Sequence, residues 1–376
     1  MKFQISKNKI EHLVEFISNY IDSSDTYPTF RCINFSIDNE YLTLVGASSI
    51  MGAKKRVKVD ETSVKVTREG SVLINANILK NIIKKFDKFV TFETKGNLID
   101  IYEGTTKFTL TKIDASEYPQ ISFDEPENPL QINSKEFEKI VSDVSISTTQ
   151  TSDKLISVIY KCINLHYLHT EDNKHAIRFV ATDSYRLSTQ LLFIDQPIDL
   201  NIVIDAKNLK KIITKDAPEN VGIYFTKSRI GIIYEDTTVW VVLNKAEPIQ
   251  IQGLLQTKFS RHYQIDRDEL IRTINKALFY TNEKDKKMAF NFSENELNLN
   301  YEIPELGTGT SNTNGLKIVK GYGLEIDFNY NYVKEAASVL NPGLINIFIS
   351  ENADKVLISS ESDKNHIQFI TPLRRY

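Results

Sequence analysis

The fold prediction starts from residues 203–215, which read VIDAKNLKKIITK. Val203 and Ile204 end a β-branched run that is typical of a strand, and Asp205 follows where a helix N-cap belongs. Apolar residues then recur at helical spacing, while lysines occupy the opposite face. The stretch therefore predicts a strand that leads directly into a capped helix over residues 207–216, with a basic outer face.

The same junction occurs six times along the chain. In each copy an apolar residue closes a strand, a Ser, Asn or Asp follows it, and another apolar residue stands five positions after the first. Successive copies are 58 to 72 residues apart, so they divide the 376-residue chain almost evenly. The closing and capping residues are Ile5-Ser6, Ile74-Asn75, Ile132-Asn133, Ile204-Asp205, Ile265-Asp266 and Phe328-Asn329. Such a repeat predicts an architecture built from one duplicated unit; the alternative is a favourable alignment of common junctions.

Each predicted repeat contains a strand, a helix and about three further strands joined by short turns. Two repeats make one domain, which predicts an α+β fold of three similar domains, each with two helices packed on antiparallel sheets. The polar, proline-containing segment 124–129 marks one boundary, and a second break lies near 252–257. The predicted domains are 1–123, 129–251 and 257–376. The segment 307–315, rich in Gly, Thr and Asn, lacks the ending of a phosphate-binding loop and is predicted to be a flexible insertion.

The composition is that of a soluble globular protein. Hydrophobic residues make up 41% of the chain and charged residues 25%, as in folded rather than disordered proteins. No apolar run approaches the ~20 residues of a membrane-spanning helix, and the N-terminus has no signal-peptide core. Two cysteines, Cys32 and Cys162, are too few for a disulfide scaffold and favour a reducing compartment. We therefore expect a cytoplasmic protein without a membrane, cofactor or metal.

Positive charge is concentrated on the predicted helices. The six helix segments carry a formal charge of +6 and the rest of the chain −9, within a net charge of −3. A basic face on a mildly acidic protein indicates a track for a polyanion, although for any one such helix a solvated face is the favoured explanation. The candidate DNA contacts are the lysines of the two most basic segments: Lys80, Lys84, Lys85, Lys88, Lys207, Lys210, Lys211 and Lys215.

Two further stretches place an arginine beside apolar residues: ATDSYRLS at 181–188 and FITPLRRY at 369–376. Together with Glu117-Tyr118-Pro119 and Phe328-Asn329-x-x-Tyr332-Val333, they carry a family resemblance over essentially the whole chain. The sequence resembles the β subunits of bacterial DNA polymerase III, the DNA sliding clamps. Its ending, LRRY, is most similar to the clamps of low-GC Gram-positive bacteria and their wall-less relatives.

The resemblance implies a non-catalytic processivity subunit. Two copies would form a head-to-tail homodimer, closed into a ring around double-stranded DNA that is bound without sequence preference. Partners would be the DNA polymerase III α subunit, the clamp loader, repair polymerases and ligase-type proteins, each inserting a short linear peptide. The eight lysines would face the DNA channel together with Arg272.

The resemblance also implies two protein-binding surfaces. Apolar residues would bury partner peptides in a groove, and arginines would orient the polar atoms of the peptide. The groove would be formed by Thr182, Tyr185, Arg186, Leu187, Pro248, Ile370, Pro372, Leu373 and Arg374. The contact that closes the ring would involve Phe108, Phe279 and Tyr280, next to residues 282–284.

Several positions depart from the family pattern. Ser184 and Tyr185 replace the usual glycine and histidine, so the groove is expected to differ in its peptide preference. Lys154 stands where an arginine is common, and Gln252 occupies a position that is usually basic. The segment 24–28 lacks the arginine that often contacts DNA, so this loop is not expected to do so.

The sequence offers little for catalysis. His166 and His169 form a His-x-x-His pair, but on a strand this spacing points them to opposite faces, and no third metal ligand is evident. Asp183 has no histidine or second carboxylate beside it for acid–base chemistry. The leading alternative to a clamp is a repeat-built protein-interaction scaffold without a DNA role, followed by a hydrolase whose site is not local in sequence.

Overall fold

The computed structural model describes residues 1–376 except 61, 124, 125, 127, 150–155, 282–285, 375 and 376. Its contacts divide the chain into two compact units. Unit 1 comprises Met1–Ser134 and Lys211–Leu243, and unit 2 comprises Lys135–Lys210 and Asn244–Tyr376. Each unit thus combines two segments that are distant in sequence.

Seven α-helices lie within the described residues. Six of them begin directly after a strand, at the six junctions that the repeat predicts, so this prediction is confirmed. The remaining helix, α5, occupies the predicted break near 252–257. The helices, numbered in chain order, are α1 (Lys7–Ser18), α2 (Ala76–Ile83), α3 (Ser134–Ser145), α4 (Ala206–Leu209), α5 (Gln252–Leu255), α6 (Arg267–Ala277) and α7 (Tyr330–Val339).

The strands pair antiparallel throughout the described structure, which confirms the α+β fold class. In chain order they are β1 (Lys2–Ser6), β2 (Cys32–Ile37), β3 (Tyr41–Ala47), β4 (Met51–Lys58), β5 (Val64–Arg68), β6 (Gly70–Asn75), β7 (Phe89–Lys95), β8 (Leu98–Glu103), β9 (Thr106–Thr111), β10 (Leu130–Asn133), β11 (Cys162–His169), β12 (His175–Thr182), β13 (Arg186–Ile194), β14 (Asn201–Asp205), β15 (Asn220–Phe225), β16 (Arg229–Tyr234), β17 (Thr237–Val242), β18 (Phe259–Asp266), β19 (Lys287–Ser293), β20 (Glu296–Ile303), β21 (Gly307–Thr313), β22 (Lys317–Lys320), β23 (Leu324–Asn329), β24 (Leu344–Ser350), β25 (Val356–Ser360) and β26 (Ile367–Ile370).

Side-chain caps explain where several helices begin. Asp205 accepts hydrogen bonds from the backbone N–H groups of the second and third residues after it, at 3.0 and 3.1 Å. Asp266 makes the same pair of bonds, both at 3.0 Å. Asn75 and Asn329 each accept one such bond, whereas Ser6 accepts none. The capping positions read from the sequence therefore satisfy orphan N–H groups at these four junctions.

Unit 1 is built on two antiparallel sheets. One has five strands in the order β5-β1-β7-β8-β9, and the other has eight in the order β10-β15-β16-β17-β4-β3-β2-β6. Three buried phenylalanines form a stack in its core: the ring centroids of Phe3 and Phe92 lie 4.8 Å apart, and those of Phe92 and Phe35 5.8 Å apart. Since Phe35 belongs to the larger sheet and the other two to the smaller, the stack joins the two sheets.

Unit 2 follows the same plan. Its sheets have nine strands, β14-β11-β12-β13-β26-β25-β24-β18-β22, and four strands, β21-β20-β19-β23. Tyr263 of the larger sheet stacks on Phe292 of the smaller, with ring centroids 4.5 Å apart. The hydroxyl of this fully buried tyrosine donates to the backbone carbonyl of Tyr322 at 2.7 Å, so burial leaves no unpaired polar group there.

We call the third strand after each repeat helix its outer strand; these are β4, β9, β13, β17, β21 and β26. In unit 1 the outer strands β4 and β17 pair, and in unit 2 β13 and β26 pair. Each pair joins two repeats that stand three apart in the series. The other two outer strands, β9 and β21, lie at sheet edges in the described structure.

The prediction of a helix over 207–216 is wrong, because α4 ends at Leu209. The residues that follow include the β-branched run 212–214, which loses side-chain freedom in a helix. The hydroxyl of Tyr20 also donates to the backbone carbonyl of Lys211 at 2.9 Å, an acceptor that a continuing helix would use itself. The segment is therefore a turn held by a partner that is distant in sequence.

The second basic helix, predicted over residues 77–88, is likewise shorter, since α2 ends at Ile83. The N–H groups of Lys85 and Phe86 bond to carbonyls three residues earlier, at 3.0 and 3.3 Å, which tightens the chain into a turn. This turn buries Phe86, only 2% exposed. Lys84, Lys85 and Lys88 therefore follow the helix.

The prediction of a flexible insertion at 307–315 is also wrong, because β21 pairs with β20 along its whole length. Buried Thr313 donates to the carboxylate of Glu269 on α6. A Cβ at Gly309 would overlap the carbonyl oxygen of Ala277. This glycine therefore lets the strand pass the end of α6 rather than giving it mobility.

No helix in the described ranges combines the length and apolar character needed to cross a membrane.

Candidate partner groove and basic surfaces

The groove residues predicted from β13 and the C-terminus come together in unit 2. β13 pairs with β26, so that Arg186 lies opposite Ile370 and Leu187 opposite Phe369. The backbone N–H of Thr371 donates to the carbonyl of Tyr185 at 2.8 Å. The two motifs that carried the resemblance thus form one continuous surface, although 180 or more residues separate them in sequence.

A tight turn at 182–186 presents the exposed side chain of Tyr185, 62% of which is accessible. The Thr182 hydroxyl donates to the Arg186 carbonyl at 2.6 Å, and the Asp183 carboxylate accepts from the backbone N–H groups of Tyr185 and Arg186 at 3.0 and 3.1 Å. Ser184 has φ +79°, a conformation that favours glycine. Glycine, the usual residue of the family at this position, adopts this backbone conformation without strain, whereas serine adopts it only with strain.

Arg186 is fixed from three sides, a feature that sequence reasoning missed. Its Nε donates to Asp183 at 3.0 Å, and it forms an ion pair with Glu335 on α7. Its guanidinium also lies 4.4 Å from the ring centroid of Tyr332. Asp183 stands three residues from the arginine and offered a local signal, whereas the other two partners lie far along the chain. The carboxylate of Asp183 thus orients an arginine.

The floor of the groove is apolar. Val180, Leu187, Ile251 and Phe369 form a buried cluster, against which the partly buried segment after Pro248 packs. The N–H of Ile249 donates to the side-chain oxygen of buried Asn164 at 3.1 Å, which anchors this segment to β11. Of the four cluster members, sequence reasoning identified only Leu187. Pro248 directly precedes Ile249, which packs against the cluster.

The C-terminal wall of the groove is partly described. Ile370 is buried, whereas Leu373 is 39% exposed and Arg374 is exposed. The N–H of Leu373 donates to the carbonyl of Asp327 at 2.8 Å, and Pro372 is half-buried. An accessible leucine on an anchored backbone is the kind of surface that takes an apolar peptide residue. Arg375 and Tyr376 lie outside the described residues.

A buried polar chain runs beneath the β13–β26 pair. The side-chain oxygen of Gln368 accepts from Ser188 at 2.5 Å, so its amide nitrogen faces ring nitrogen Nε2 of His366 at 2.7 Å. That nitrogen must accept, which requires neutral imidazole. Burial lowers the pKa of His366 to about 4, with Asp363 opposing this shift and Lys139 adding to it.

We expect this histidine to make the unfolding free energy pH-dependent. Because its folded pKa lies below the unfolded value of 6.5, its contribution is complete above pH 6.5 and is lost as the pH falls towards 4. The loss is about 3 kcal/mol at 1.36 kcal/mol per pKa unit. His366→Gln should remove this share of the pH dependence of the urea midpoint between pH 7 and 4, with exposed His12→Gln as control. Parallel pH profiles of wild type and His366→Gln would contradict the assignment.

The predicted channel residues are distributed over both units. In unit 1, Lys84, Lys85, Lys88, Lys211 and Lys215 are exposed and Lys80 is half-buried; in unit 2, Lys207, Lys210 and Arg272 are exposed. None of the nine forms an ion pair with another described residue. They are therefore available to an external anion.

Three of these lysines meet in one place in unit 1. A cleft of about 740 Å³ is bordered by α1, α2 and the turn at 211–216. Lys80, Lys211 and Lys215 line it together with His12 and Glu15. The sequence predicted each lysine separately, but their convergence depends on the turn that replaces the predicted helix.

The aromatic residues predicted at the interface lie on or near β9 and β21, the two outer strands at sheet edges. Phe108 is on β9 and packs edge-on against Phe86, with ring centroids 5.9 Å apart. Phe279 follows α6, lies 5.2 Å from the Tyr301 ring and borders β21 at Gly309. Tyr280 is 93% exposed. Residues 282–284, predicted beside this contact, lie outside the described residues.

His166 and His169 lie on β11, as predicted, and the part of the chain that is described contains no group of three or more potential metal ligands.

Comparison with protein families gives three matches in succession along the chain. Residues 1–122 match the N-terminal domain of the DNA polymerase III beta subunit, residues 131–246 its central domain, and residues 252–374 its C-terminal domain. The three matches leave only short segments uncovered.

Individual relatives are similar over their full length. The beta sliding clamp of Mycoplasmopsis pulmonis is 24% identical over 383 residues, and that of Bacillus subtilis is 23% identical over 390, with 100% of both chains covered in each case. The crystal structure of the Bacillus subtilis DNA polymerase sliding clamp has a TM-score of 0.90 at 21% identity, again over 100% of both chains.

Proposed function

Since the chain belongs to the family of DNA polymerase III beta subunits, we propose that two copies close head to tail into a ring around duplex DNA. The protein is a DNA sliding clamp, a non-catalytic processivity subunit of DNA replication. It acts in the cytoplasm and consists of three clamp domains at 1–123, 129–251 and 257–376. The matched ranges of the family models support these boundaries.

The pairing of outer strands is the observation that best supports the proposed ring. Four of the six outer strands are paired within a chain, always with the outer strand of the repeat three positions away. The other two outer strands, β9 and β21, lie at sheet edges in the described structure. An edge strand presents a row of backbone groups that another strand can pair with. Applied to the remaining repeats, the same rule pairs β9 of one copy with β21 of the next.

Such a contact is heterologous, because it joins two different edges, and it closes into a ring when two copies complete the circle. Phe108 on β9 and Phe279 beside β21 stand where aromatic anchors would support the new strand pair. The exposed ring of Tyr280 would be covered in the same contact.

Inside the ring, the nine basic residues attract phosphates without reading bases. Lysines at exposed positions without an ion pair provide sequence-independent, salt-dependent attraction, which permits sliding. Topology rather than affinity then keeps the protein on DNA. This division between attraction and retention is what a processivity factor needs.

The surface of Tyr185, Leu187 and Leu373 is the docking site for linear peptides of the polymerase, the clamp loader and repair proteins. Its apolar floor and exposed leucine supply burial, and Arg186 has a fixed orientation because Asp183 and Glu335 both hold it.

Retention on DNA tests this function. We expect the loaded protein to stay on closed circular duplex through gel filtration and to leave rapidly once the circle is cut. The control is a circle blocked at both sides of the cut by bound proteins, which should restore retention. Equal loss from closed and cut circles would instead favour a protein-interaction scaffold without a DNA role.

A further inference from the structure

Two histidines meet at one end of the β11–β12 hairpin in unit 2. His169, the last residue of β11, lies directly opposite His175, the first residue of β12. The centroids of the two imidazole rings are 5.1 Å apart, and His169 is exposed while His175 is half-buried. The sequence motif joined His169 to His166, which lies on the other face of the strand. The structure therefore gives His169 a partner across the hairpin rather than along the strand.

The spacing of the two rings matches that of two imidazoles on one metal ion. An ion bonded at about 2.1 Å to a ring nitrogen lies about 3.2 Å from the centroid of that ring. Two imidazoles that share an ion then have centroids about 4.5 Å apart at a right angle and about 5.2 Å apart at the tetrahedral angle. The observed 5.1 Å lies in this range. The strand register thus already holds the rings at the spacing that a shared ion requires.

A neighbouring tyrosine fixes the ring of His175. The hydroxyl of Tyr167 shares a hydrogen bond with Nδ1 of His175 at 2.7 Å, and the two rings stack with their centroids 5.9 Å apart. With Nδ1 engaged, Nε2 is the ring nitrogen left for a metal. Histidine ligands usually make such a bond through their second nitrogen, which sets the tautomer and the ring orientation. Tyr167 is therefore a positioning residue for this pair.

The turn between the histidines is closed by its own hydrogen bonds. The backbone N–H of Thr170 donates to the carbonyl of Lys174 at 2.9 Å, and the N–H of Lys174 donates to the Thr170 hydroxyl at 3.0 Å. Asn173 has φ +61°, a conformation that asparagine tolerates. The ammonium group of Lys174 lies 5.5 Å from the ring centroid of Phe193, on the opposite face of the sheet. The nearest positive charge in sequence is thus directed away from the imidazoles.

We propose that His169 and His175 together bind one divalent ion of a first-row transition metal. Imidazole nitrogen suits copper, nickel and zinc, whereas magnesium and calcium prefer oxygen ligands. Affinity should follow the general order for such sites, with Cu²⁺ bound more tightly than Ni²⁺ or Zn²⁺. The described residues hold no group of three potential ligands, so water completes the coordination.

This metal site is separate from the partner groove. The histidines lie at the start of β12 and Thr182 at its end, which places them about 23 Å apart along the strand. The site therefore requires neither DNA nor a partner peptide.

Calorimetric titration of the untagged protein with Cu²⁺, Ni²⁺ and Zn²⁺ tests the proposal. We expect one ion per chain, and the electron paramagnetic resonance spectrum of bound Cu²⁺ should show coupling to two imidazole nitrogens. His169→Gln and His175→Gln should each lower Cu²⁺ affinity by more than about 100-fold, since loss of a supporting residue alone costs about 10- to 100-fold. Tyr167→Phe should lower it about 10-fold and leave the stoichiometry unchanged.

His166→Gln is the matched control, because His166 lies on the same strand but faces the other side. It should leave Cu²⁺ affinity unchanged, and an equal loss in this variant would overturn the assignment. Wild-type affinity in both His169→Gln and His175→Gln, or tighter binding of Mg²⁺ than of Cu²⁺, would also overturn it. One ion per two chains would replace the proposed site by an ion that bridges copies.

Melting temperatures of the metal-free variants close to wild type ensure that a loss of binding does not reflect unfolding. Retention on closed circular DNA does not involve these histidines, so failure of the metal site leaves the proposed clamp function standing.

Discussion

Deleting residues 372–376 is expected to lower the affinity of the protein for a peptide from the replicative polymerase by at least about 100-fold. The deletion removes the exposed side chain of Leu373 and the backbone bond that anchors it to Asp327. Burying one leucine stabilises a complex by about 1.5–3 kcal/mol, or roughly 10- to 100-fold, and the deletion also removes Pro372 and Arg374. Fluorescence anisotropy of a labelled peptide measures the loss.

The dimer should survive this deletion, because neither edge strand is altered. Leu373→Ser alone should cost about 10- to 100-fold in peptide affinity. Leu344→Ser is the matched control: Leu344 is 50% exposed in the same unit but outside the groove, and its replacement should leave peptide affinity unchanged. Unchanged affinity after the deletion would exclude this surface as the docking site.

Gly309→Ala is expected to weaken the dimer strongly while leaving the peptide groove intact. The new Cβ would overlap the backbone carbonyl oxygen of Ala277, which cannot move without disturbing the end of α6. Overpacking of this kind costs about 2 kcal/mol. Displacing the edge strand β21 relieves the strain, so the dimer dissociation constant should rise about 30-fold. Analytical ultracentrifugation over a dilution series measures it.

Gly253→Ala serves as the control for this substitution, since nothing lies within 4 Å of the position that a Cβ would take there. It should change neither the dimer nor the melting temperature appreciably. A Gly309→Ala protein with a wild-type dissociation constant would show that β21 is not part of the contact between copies.

The starts of the helices could be predicted because their signals are local. An apolar strand end followed by a Ser, Asn or Asp marks all six junctions, and Asp205 and Asp266 make the expected bonds. Helix ends were not predictable in the same way. α4 stops where Tyr20, nearly 200 residues away, takes a backbone carbonyl, and α2 stops where a tight turn buries Phe86.

The groove also depends on contacts between residues that are distant in sequence. The motifs around Thr182 and Pro372 were identified by resemblance, and the structure brings them together on β13 and β26. The restraint on Arg186 depends on Glu335, 149 residues away, and no pattern in the sequence links the two. Likewise the glycines and polar residues of 307–313 are typical of a loop, so the sequence predicted one. The segment is a strand, and it needs glycine at 309 because it passes close to the end of α6.

The three outer-strand pairs differ in whether the two strands belong to the same chain. β4 with β17 and β13 with β26 are held together by an unbroken chain, so their effective concentration is high and independent of how much protein is present. The proposed pair of β9 and β21 has no such tether and obeys mass action. If this pair closes the ring as proposed, dilution of the protein or capture of one copy by a loader should open the circle between β9 and β21 and leave the other two pairs closed.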